Sequence, residues 1–509
     1  MEKIIILDFG SQYTQLIARK IRELGVYSEI HRYDLSLSKI KTENPRAIIL
    51  SGGPSSVWEK DSPKISKEVF NLEIPVFGIC YGLQLISHLL GGKVVKAKKR
   101  EYGFAELFVK DFDGLFKDLP EKSQVWMSHG DEVYELPDEF KITASTENSR
   151  VAAIENRKKY IYGVQFHPEV VHTQQGKKIL QNFIFNICHI SPSWSIESFI
   201  EDSIKKIRNT VKQEKVLCAL SGGVDSTVTA MLINKAVDKS LISIFVNTGF
   251  LRKGEFEYFL DTFRNLKLKV IGVDASRKFL EALRGIVNPE KKRKIIGKLF
   301  IDIFKDSAKN MGGIKFFAQG TTYPDVIESS SVKGPSAVIK SHHNVGGLPK
   351  NIGFKLLEPL KELFKDEVRE IGRKLGIDEE IISRHPFPGP GLAVRIVGKI
   401  TPERLRILRE VDEILLEEIK KSNIYNNLWQ AFSVLLPVRS VGVMGDQRTY
   451  QQAVVLRMVE SIDGMTANWY RIDYPLLSKI SSRIVNEVKG VNRVLYDITT
   501  KPPGTIEWE

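Results

Sequence analysis

Short apolar runs alternate with helix-type patterns through the first part of the chain. The runs lie at residues 4–7, 47–50, 76–79, 216–220, 242–246, 270–273 and 316–318. Uninterrupted runs of this length are typical of strands that are buried on both faces, as in parallel sheets covered by helices. Serine and proline at 191–193 punctuate the chain between the third and the fourth run. The pattern predicts an α/β protein with two open parallel-sheet domains, one on each side of residue 190.

The last part of the chain has a different pattern. Residues 402–421 carry apolar side chains at helical spacing, and β-type runs follow at 440–444 and 493–498. The segment HPFPGPG at 385–391 precedes them, and its closely spaced prolines exclude a helix or a central strand. We therefore expect a small α+β domain at the C-terminal end. The predicted domains are 1–190, 191–384 and 385–509.

Composition favours a soluble enzyme of several domains. The chain has 509 residues, of which 42% are hydrophobic, and no apolar stretch approaches the length of a membrane span. The run at 4–7 is too short for a secretion signal, so we expect a cytoplasmic protein with no membrane partner. The three cysteines have no C-x-x-C spacing, which indicates neither a disulfide framework nor a structural zinc site.

The charge balance is basic, with 75 lysines and arginines against 62 acidic residues and a net charge of +13. Such an excess suits a polyanionic partner, either a nucleotide or a nucleic acid. The one compact basic run is KKRK at 291–294, with Lys298 just beyond it. A run of this kind is usually a solvated helix face.

A candidate nucleophile lies in the first domain, in the segment GICYG at 78–82. This segment follows an apolar run and precedes a helix-type run at 83–90. The layout is that of a nucleophile elbow, in which flanking glycines permit a strained turn. An isolated cysteine is more often a small buried residue, but the position of Cys80 between two glycines favours a nucleophile.

A base and a group that orients it are available in the segment QFHPE at 165–169. The segment ends a strand-type run at 160–164, and residues two apart on an extended segment point to the same side. His167 and Glu169 therefore complete a predicted triad with Cys80. The segment SGGP at 51–54 ends another strand. We expect an oxyanion to be stabilised by main-chain amides, for which the candidates are Gly52, Gly53 and Tyr81.

Together, the segments at 51–54, 78–84 and 165–169 closely resemble the class I glutamine amidotransferases. The resemblance implies that glutamine is hydrolysed through a thioester and that ammonia is the useful product. It also implies that glutamine is recognised by Gln84 and by the segment SHGD at 128–131, in particular by Ser128 and His129.

The second domain contains the hexapeptide SGGVDS at 221–226, between a strand signal and a helix-type run at 227–236. Adjacent glycines allow close approach to a ligand, and the N-terminus of the helix favours an anion, so the segment predicts a pyrophosphate cradle. An ordinary Ser/Gly turn is the alternative. No G-x-x-x-x-G-K-[ST] pattern is present around it. The segment resembles the loop of ATP pyrophosphatases, which activate a carbonyl oxygen with AMP and release pyrophosphate.

ATP is accordingly the predicted ligand of this loop, with Mg²⁺ as its companion ion and no tightly bound organic cofactor. The end of the next strand lies where an open α/β sheet accepts a nucleoside; an ordinary strand end is the alternative there. The predicted ATP-binding residues are Ser221, Gly222, Gly223, Val224, Asp225, Ser226, Thr227 and Val246. Asp225 is also the candidate Mg²⁺ ligand.

The segments GTTYPDVIES at 320–329, HPFPGPG at 385–391 and KPPGTIEWE at 501–509 extend the resemblance to the whole chain, and the family is that of the glutamine-hydrolysing GMP synthases. The resemblance implies a class I glutaminase fold, an adenine-nucleotide α-hydrolase-like ATP pyrophosphatase fold and a C-terminal domain that binds XMP and forms a homodimer. It implies amination of XMP to GMP through an adenylated intermediate, with ATP and glutamine as the other substrates. The XMP contacts it implies are Arg293, Lys340, Pro388, Gly389, Lys501 and Glu507.

The strongest alternative is a tRNA-modifying pyrophosphatase, because such enzymes use a similar loop and the chain is basic. A glutaminase triad would be superfluous in that enzyme, and neither a C-x-x-C pair nor an RNA-binding module is visible in the sequence. An interaction protein with inactive folds is disfavoured by the intact nucleophile, base and phosphate loop. We therefore expect no nucleic-acid partner.

Overall fold

A computed structural model of the chain describes residues 2–329, 354–444, 446–461, 464 and 466–509. The chain forms two compact units, Met1–Phe199 and Ile200–Glu509. The finer division into three domains stays a prediction. In the described ranges, no helix combines the length and the apolar character that a membrane span requires.

The first unit is built on one nine-stranded sheet in the order β2-β1-β3-β4-β9-β8-β7-β5-β6. Its strands are β1 Lys3–Asp8, β2 Tyr27–Arg32, β3 Ala47–Leu50, β4 Val76–Ile79, β5 Lys93–Val109, β6 Lys122–Glu135, β7 Lys141–Ser145, β8 Ala153–Asn156 and β9 Ile161–Val164. The first five in spatial order are parallel and contain the predicted buried runs. From β8 to β6 the sheet is antiparallel, which was not predicted.

The helices of this unit flank the parallel part of the sheet. They are α1 Thr14–Glu23, α2 Leu37–Glu43, α3 Tyr81–Leu89 and α4 Gly176–Gln181, and a π-helical segment, Asn182–Ile187, continues α4. Helix α3 follows β4 directly and packs against it. The first unit therefore presents the start of α3 at the carboxyl edge of its parallel strands. Helix α5, Ile196–Val211, crosses the point at which the two units divide.

The second unit begins with a five-stranded parallel sheet in the order β12-β11-β10-β13-β14. The strands are β10 Lys215–Leu220, β11 Leu241–Asn247, β12 Val270–Asp274, β13 Ile314–Ala318 and β14 Lys355–Leu357. The helices are α6 Val224–Val237, α7 Glu255–Asn265, α8 Ser276–Ala282, α9 Pro289–Met311, α10 Tyr323–Ser329, α11 Lys365–Lys374 and α12 Glu379–Ile382. The chain adds β11 and β12 on one side of β10 and then crosses to β13 on the other side, so the order of strand addition reverses at β10.

The C-terminal part of this unit is α+β, as predicted. Its elements are α13 Pro402–Lys421, β15 Gln430–Met444, β16 Gln447–Glu460, β17 Asn468–Trp469, α14 Tyr474–Glu487 and β18 Val491–Tyr496. Strands β15, β16 and β17 are antiparallel neighbours, and β18 pairs with β16 in parallel. One apolar core runs from Leu217 and Ile244 of the parallel sheet through Leu392 to Leu408 and Leu415 of α13.

Candidate active site

The nucleophile elbow of the first unit has strained geometry. Cys80 lies between β4 and α3 with φ 55° and ψ −105°, a region that non-glycine residues rarely adopt. A Cβ at Gly82 would lie 2.4 Å from the Leu50 carbonyl oxygen, and one at Gly78 would lie 2.5 Å from the main chain of Gly82. These close backbone approaches admit only glycine. Packing beneath the turn thus holds Cys80 at the carboxyl edge of the sheet.

His167 and Glu169 form a buried pair beside the elbow. His167 Nδ1 lies 2.7 Å from Glu169 Oε1. Burial lowers the pKa of His167, but the charge of Glu169 and hydrogen bonds with Cys80 and Glu169 outweigh burial, so the pKa is raised well above its ordinary value. A Cβ at Gly52 would lie 3.2 Å from His167 Cε1. The structure therefore brings together the three predicted triad residues and one of the predicted oxyanion glycines.

The sulfur of Cys80 has two further neighbours. Its Sγ lies 3.6 Å from the Ser128 carbonyl oxygen and 3.7 Å from Gln165 Nε2. Gln84 Nε2 donates to Gln165 Oε1 at 3.2 Å and to the Asp131 carbonyl oxygen at 2.9 Å. Ser128 and Gln84, both predicted to recognise glutamine, therefore lie in the shell around the sulfur.

The other residues predicted for the glutamine site contact other protein groups through their side chains or close packing. The ring nitrogens of His129 face Glu101 Oε2 at 3.1 Å and the Asp131 carbonyl oxygen at 3.0 Å. The Tyr81 hydroxyl donates to the Pro63 carbonyl oxygen, so any contact of this residue with an oxyanion is through its main chain. Gly53 packs on Phe9, whose carbonyl oxygen would lie 2.7 Å from an added Cβ.

Sequence reasoning missed several residues of this site. Gln165 was part of the QFHPE segment but was assigned no role. Glu101, Tyr13 and Thr173 carried no signal: Glu101 and Tyr13 reach the site through contacts between distant parts of the chain, and Thr173 lies in the segment that follows His167. The Tyr13 ring lies 5.0 Å from the His167 ring, and Thr173 Oγ1 donates to the His167 carbonyl oxygen at 2.6 Å.

The SGGVDS loop of the second unit lies where the strand order of the parallel sheet reverses. It connects β10 to α6, and residues 319–322 follow the neighbouring strand β13 on the other side of the reversal. Ligands of open α/β sheets bind at such a switch point. A Cβ at Gly320 would lie 2.8 Å from the main chain of Asp225, so the two loops are in close contact.

The loop is ordered by its own hydroxyl groups. Ser226 Oγ accepts from the Ser221 main-chain nitrogen at 3.1 Å and donates to the Gly223 carbonyl oxygen at 3.0 Å. Thr227 Oγ1 donates to the same carbonyl at 2.9 Å. Gly222 has φ +75°, and an added Cβ would lie 2.8 Å from Phe259. Helix α6 then starts at Val224, and the first N–H groups of a helix have no partner within the helix itself.

Asp225, in the first turn of α6, is the charged residue of this loop. Its Oδ2 forms an ion pair with Lys365, and its Oδ1 is buried with no hydrogen-bond partner among the described residues. A buried carboxylate oxygen in this state fits a cation that arrives with a ligand. Val246, by contrast, has its side chain in the core below the sheet edge. In the described ranges no group of three or more His, Cys, Asp or Glu side chains has metal-binding geometry.

The predicted XMP contacts are dispersed. The Arg293 guanidinium hydrogen-bonds the main-chain oxygen of Glu509. Glu507 accepts two hydrogen bonds from buried Arg395, at 2.8 and 3.1 Å, and one from Gln430 at 2.6 Å. Of these two candidates, Glu507 belongs to the C-terminal segment and Arg293 contacts that segment through Glu509.

The remaining XMP candidates have other surroundings. The Pro388 carbonyl oxygen accepts from the Gly391 main-chain nitrogen, and Gly389 is exposed beside it. Lys501 Nζ donates to the Gly464 carbonyl oxygen at 2.6 Å. Lys340 lies outside the described residues.

The interpretation of the run at 291–294 as a solvated helix face is wrong for Lys292. The run lies in α9, and Lys292 is fully buried, with hydrogen bonds to the Ile396 carbonyl oxygen at 2.7 Å and to the Glu509 carboxylate. Burial lowers the pKa of Lys292 despite its pairing with Glu509. One turn of the helix thus faces the C-terminal segment, whereas Lys291 and Lys294 remain exposed.

Comparison with known protein families agrees with this arrangement. Residues 5–187 match the model for glutamine amidotransferase class-I, residues 195–293 match the model for NAD synthase, and residues 417–508 match the model for the GMP synthase C terminal domain.

Curated relatives match over the full length of the chain. A GMP synthase (glutamine-hydrolyzing) of Brachyspira hyodysenteriae is 58% identical and covers 100% of this chain and 99% of its own. The proteins of the same name from Caldanaerobacter subterraneus and Aquifex aeolicus are each 55% identical, and cover 100% and 99% of this chain and 99% of their own. The chain belongs to the family of glutamine-hydrolysing GMP synthases.

Proposed function

We propose that this chain aminates XMP to GMP, taking nitrogen from glutamine and cleaving ATP to AMP and pyrophosphate. The observation that carries the proposal is the presence, in one chain of this family, of two different sites. One is a thiol, imidazole and carboxylate arrangement at a strained elbow. The other is a hydroxyl-rich loop at the switch point of a parallel sheet. The first suits release of ammonia and the second suits activation of a carbonyl by ATP.

In the first site, Cys80 Sγ attacks the side-chain amide carbon of glutamine. The amide C–N bond then breaks as His167 gives a proton to the leaving nitrogen, and ammonia departs. Water, deprotonated by His167, hydrolyses the thioester to glutamate and restores the thiol. The raised pKa of His167 suits this role, since the proton needed by the leaving group is already on the ring. Glu169 holds the ring in the orientation that this transfer requires.

In the second site, the N-terminus of α6 and the hydroxyls of Ser221, Ser226 and Thr227 bind the phosphates that leave as pyrophosphate. The C2 carbonyl oxygen of XMP attacks the α-phosphorus of ATP and the bond to pyrophosphate breaks. Ammonia then displaces AMP from C2. Asp225, whose Oδ1 has no described partner, is the residue that would hold a Mg²⁺ ion brought with ATP, and the charge of that ion would offset the charge of the phosphates.

For XMP we propose contacts with Arg293, Lys340, Pro388, Gly389, Lys501 and Glu507. Arg293 contacts the main chain of Glu509, and Glu507 lies two residues before it, which supports a site beside this C-terminal segment. Guanidinium groups bind phosphate through parallel N–H bonds, and a carboxylate accepts from ribose or base donors.

We also propose that the enzyme is cytoplasmic and acts as a homodimer through its C-terminal domain. Strands β15 and β16 expose apolar side chains at Val438, Val441, Val443 and Tyr450. An exposed apolar patch of this kind on a sheet is a suitable surface for a second copy. Light scattering checks the assembly, and a mass of one chain at working concentration would contradict it.

The test of the main proposal compares two nitrogen sources in the Cys80→Ala variant, with XMP and Mg-ATP present. We expect GMP formation from glutamine to fall to background, whereas GMP formation from ammonium is unchanged. The matched control is Cys188→Ala, which replaces another buried cysteine of the same unit and should keep both reactions. Equal loss of both reactions in a folded Cys80→Ala protein would contradict the assigned role. No GMP from either nitrogen source in the wild type would contradict the whole proposal.

A further inference from the structure

A chain of buried hydrogen bonds leads from the antiparallel part of the first sheet to the sulfur of Cys80. Its last member is Gln165, whose side chain is fully buried directly after β9. Gln165 Nε2 lies 3.7 Å from Cys80 Sγ, within the range of hydrogen bonds to sulfur, and Gln165 Oε1 accepts from Gln84 Nε2 at 3.2 Å. The amide of Gln165 thus connects Gln84 to the nucleophile.

The direction of these hydrogen bonds is set by a main-chain carbonyl. The Asp131 carbonyl oxygen can only accept, and it lies 2.9 Å from the side-chain amide of Gln84, so the amide nitrogen of Gln84 must face it. The same nitrogen has a second hydrogen, which Gln165 Oε1 accepts. The nitrogen of Gln165 is then left to face the sulfur. A reversed Gln165 amide would place two NH₂ groups against each other and an oxygen against the sulfur.

The Asp131 carbonyl is itself held in place. It lies 3.0 Å from His129 Nδ1, and His129 Nε2 lies 3.1 Å from Glu101 Oε2. Glu101 Oε1 accepts from Thr146 Oγ1 at 2.9 Å. These side chains are buried, so water does not compete for the bonds. The strands β5 and β6 therefore fix the amide orientation at Cys80.

The sulfur of Cys80 forms different hydrogen bonds in its two protonation states. As a thiol it donates to the Ser128 carbonyl oxygen, 3.6 Å away. As a thiolate it is repelled by that oxygen and requires donors. The described donors that face it are the His167 ring and the Gln165 amide. Hydrogen bonds to a charged group are stronger than those between neutral groups, so the Gln165 contact favours the thiolate.

We propose that Gln165 is a catalytic residue of the glutaminase site: its oriented amide N–H stabilises the Cys80 thiolate before glutamine binds. The proposal rests on the glutaminase role given to Cys80 above. Gln165 forms no covalent bond and exchanges no proton. Its N–H donates a hydrogen bond to the negatively charged Sγ before the attack on glutamine. It can form the same hydrogen bond again when hydrolysis of the thioester releases the sulfur.

The test measures thiolate directly, through the rate at which iodoacetamide alkylates Cys80 in the full-length enzyme at a series of pH values. In Gln165→Leu we expect the rate at neutral pH to fall about tenfold or more, as loss of a hydrogen bond to a charged group predicts. The profile should move to higher pH, and kcat/KM for glutamine should fall in parallel. GMP formation from ammonium should be unchanged. The control is Gln124→Leu, which removes an amide hydrogen bond, to the His172 carbonyl, in the same sheet.

Gln165→Glu serves as a second variant if the leucine variant does not fold, since it keeps the side-chain shape and replaces the donor by an acceptor. Gln84→Leu frees the amide of Gln165 and should slow alkylation less than either. A wild-type alkylation profile in a folded Gln165 variant would overturn the proposal. The outcome is independent of GMP synthesis, because alkylation needs neither glutamine nor XMP, whereas the nitrogen-source test decides the role of Cys80 itself.

Discussion

The Cys80 site and the Ser221 loop differ in where their charged groups find partners. In the Cys80 site the residues proposed to act in catalysis contact one another: His167 pairs with Glu169, and the sulfur lies within reach of both His167 and Gln165. Around the second site the charges are paired with counter-ions of the protein. Asp225 pairs with Lys365, and Glu507 pairs with Arg395.

The difference follows from the charge of what each site is proposed to bind. Glutamine brings a neutral amide to the thiol, so the reacting groups gain from being in place beforehand. ATP and XMP are polyanions, and the cations that receive them would be costly to leave unpaired in partly buried positions. Protein carboxylates compensate for these cations, so an arriving phosphate would displace a carboxylate, and a metal ion at Asp225 would displace Lys365. The groups of the first site are therefore in place before the substrate binds. The charged groups of the second site have to change their ion-pair partners when the ligands bind.

The largest expected effect comes from Glu169→Gln, which removes the carboxylate that pairs with His167 in the first site. We expect glutamine-dependent GMP formation to fall by roughly 10²- to 10⁴-fold, as in other triads that lose the orienting carboxylate. Loss of the carboxylate charge that raises the pKa of His167 lowers that pKa, so the ring loses its proton at lower pH. The alkaline limb of kcat/KM for glutamine should therefore move to lower pH, which a pH series of glutamate release measures.

The control for this prediction is Glu155→Gln, which neutralises another buried carboxylate of the first unit and should leave the profile in place. Ammonium-dependent GMP formation should be normal in both variants. An unmoved alkaline limb in Glu169→Gln would show that this carboxylate does not set the protonation of His167.

The second prediction concerns the exchange of partners at Asp225. Asp225→Asn removes the charge that pairs with Lys365 and would hold Mg²⁺, so pyrophosphate release should fall about 10²- to 10³-fold with either nitrogen source. Alkylation of Cys80 should be unaffected, because the two sites are separate in the chain. Asp238→Asn, at the other end of α6, is the matched control and should be close to wild type. Similar losses in the two variants would mean that the effect is one of helix stability.

The smallest effect tests the packing beneath the elbow. In Gly82→Ala the new Cβ would lie 2.4 Å from a main-chain oxygen that cannot move aside, and overpacking of this kind costs about 1–3 kcal/mol of stability. Gly372→Ala in α11 is the comparison, because its Cβ would meet the Val228 side chain at 3.3 Å. Helix propensity favours alanine there by up to about 1 kcal/mol. Urea unfolding should show a lower midpoint for the first variant alone.

Local patterns in the sequence were enough to predict much of this molecule. The runs at 4–7, 47–50 and 76–79 lie in β1, β3 and β4, and helix 402–421 has the predicted bounds. These elements are recognisable because their apolar positions follow a single period. The antiparallel strands β5 to β8 were missed, since no single pattern marks them: β5 mixes exposed and buried positions irregularly, β6 alternates over its first half, and β8 is buried throughout.

Contacts between distant residues were out of reach of such patterns. Nothing in the run KKRK shows that Lys292 is buried against Glu509, 217 positions away. Four adjacent basic residues give the same sequence pattern whichever of them the fold buries. The orientation of the Gln165 amide likewise depends on a carbonyl of another strand. Motifs therefore predicted the candidate reacting groups and Glu169 beside His167, whereas the orientation of Gln165 and the burial of Lys292 emerged only from the tertiary structure.

The surroundings of the three cysteines have a practical consequence. Burial raises the pKa of the Cys218 thiol to about 12, and it raises the pKa of the buried Cys188 thiol despite the opposing charge of Arg46. Among the described residues, donors are directed at the sulfur of Cys80 and not at the other two. An electrophile added in small excess to the native protein should therefore attach once per chain. A stoichiometric label of this kind titrates functional molecules in a preparation and gives a single defined position for a probe.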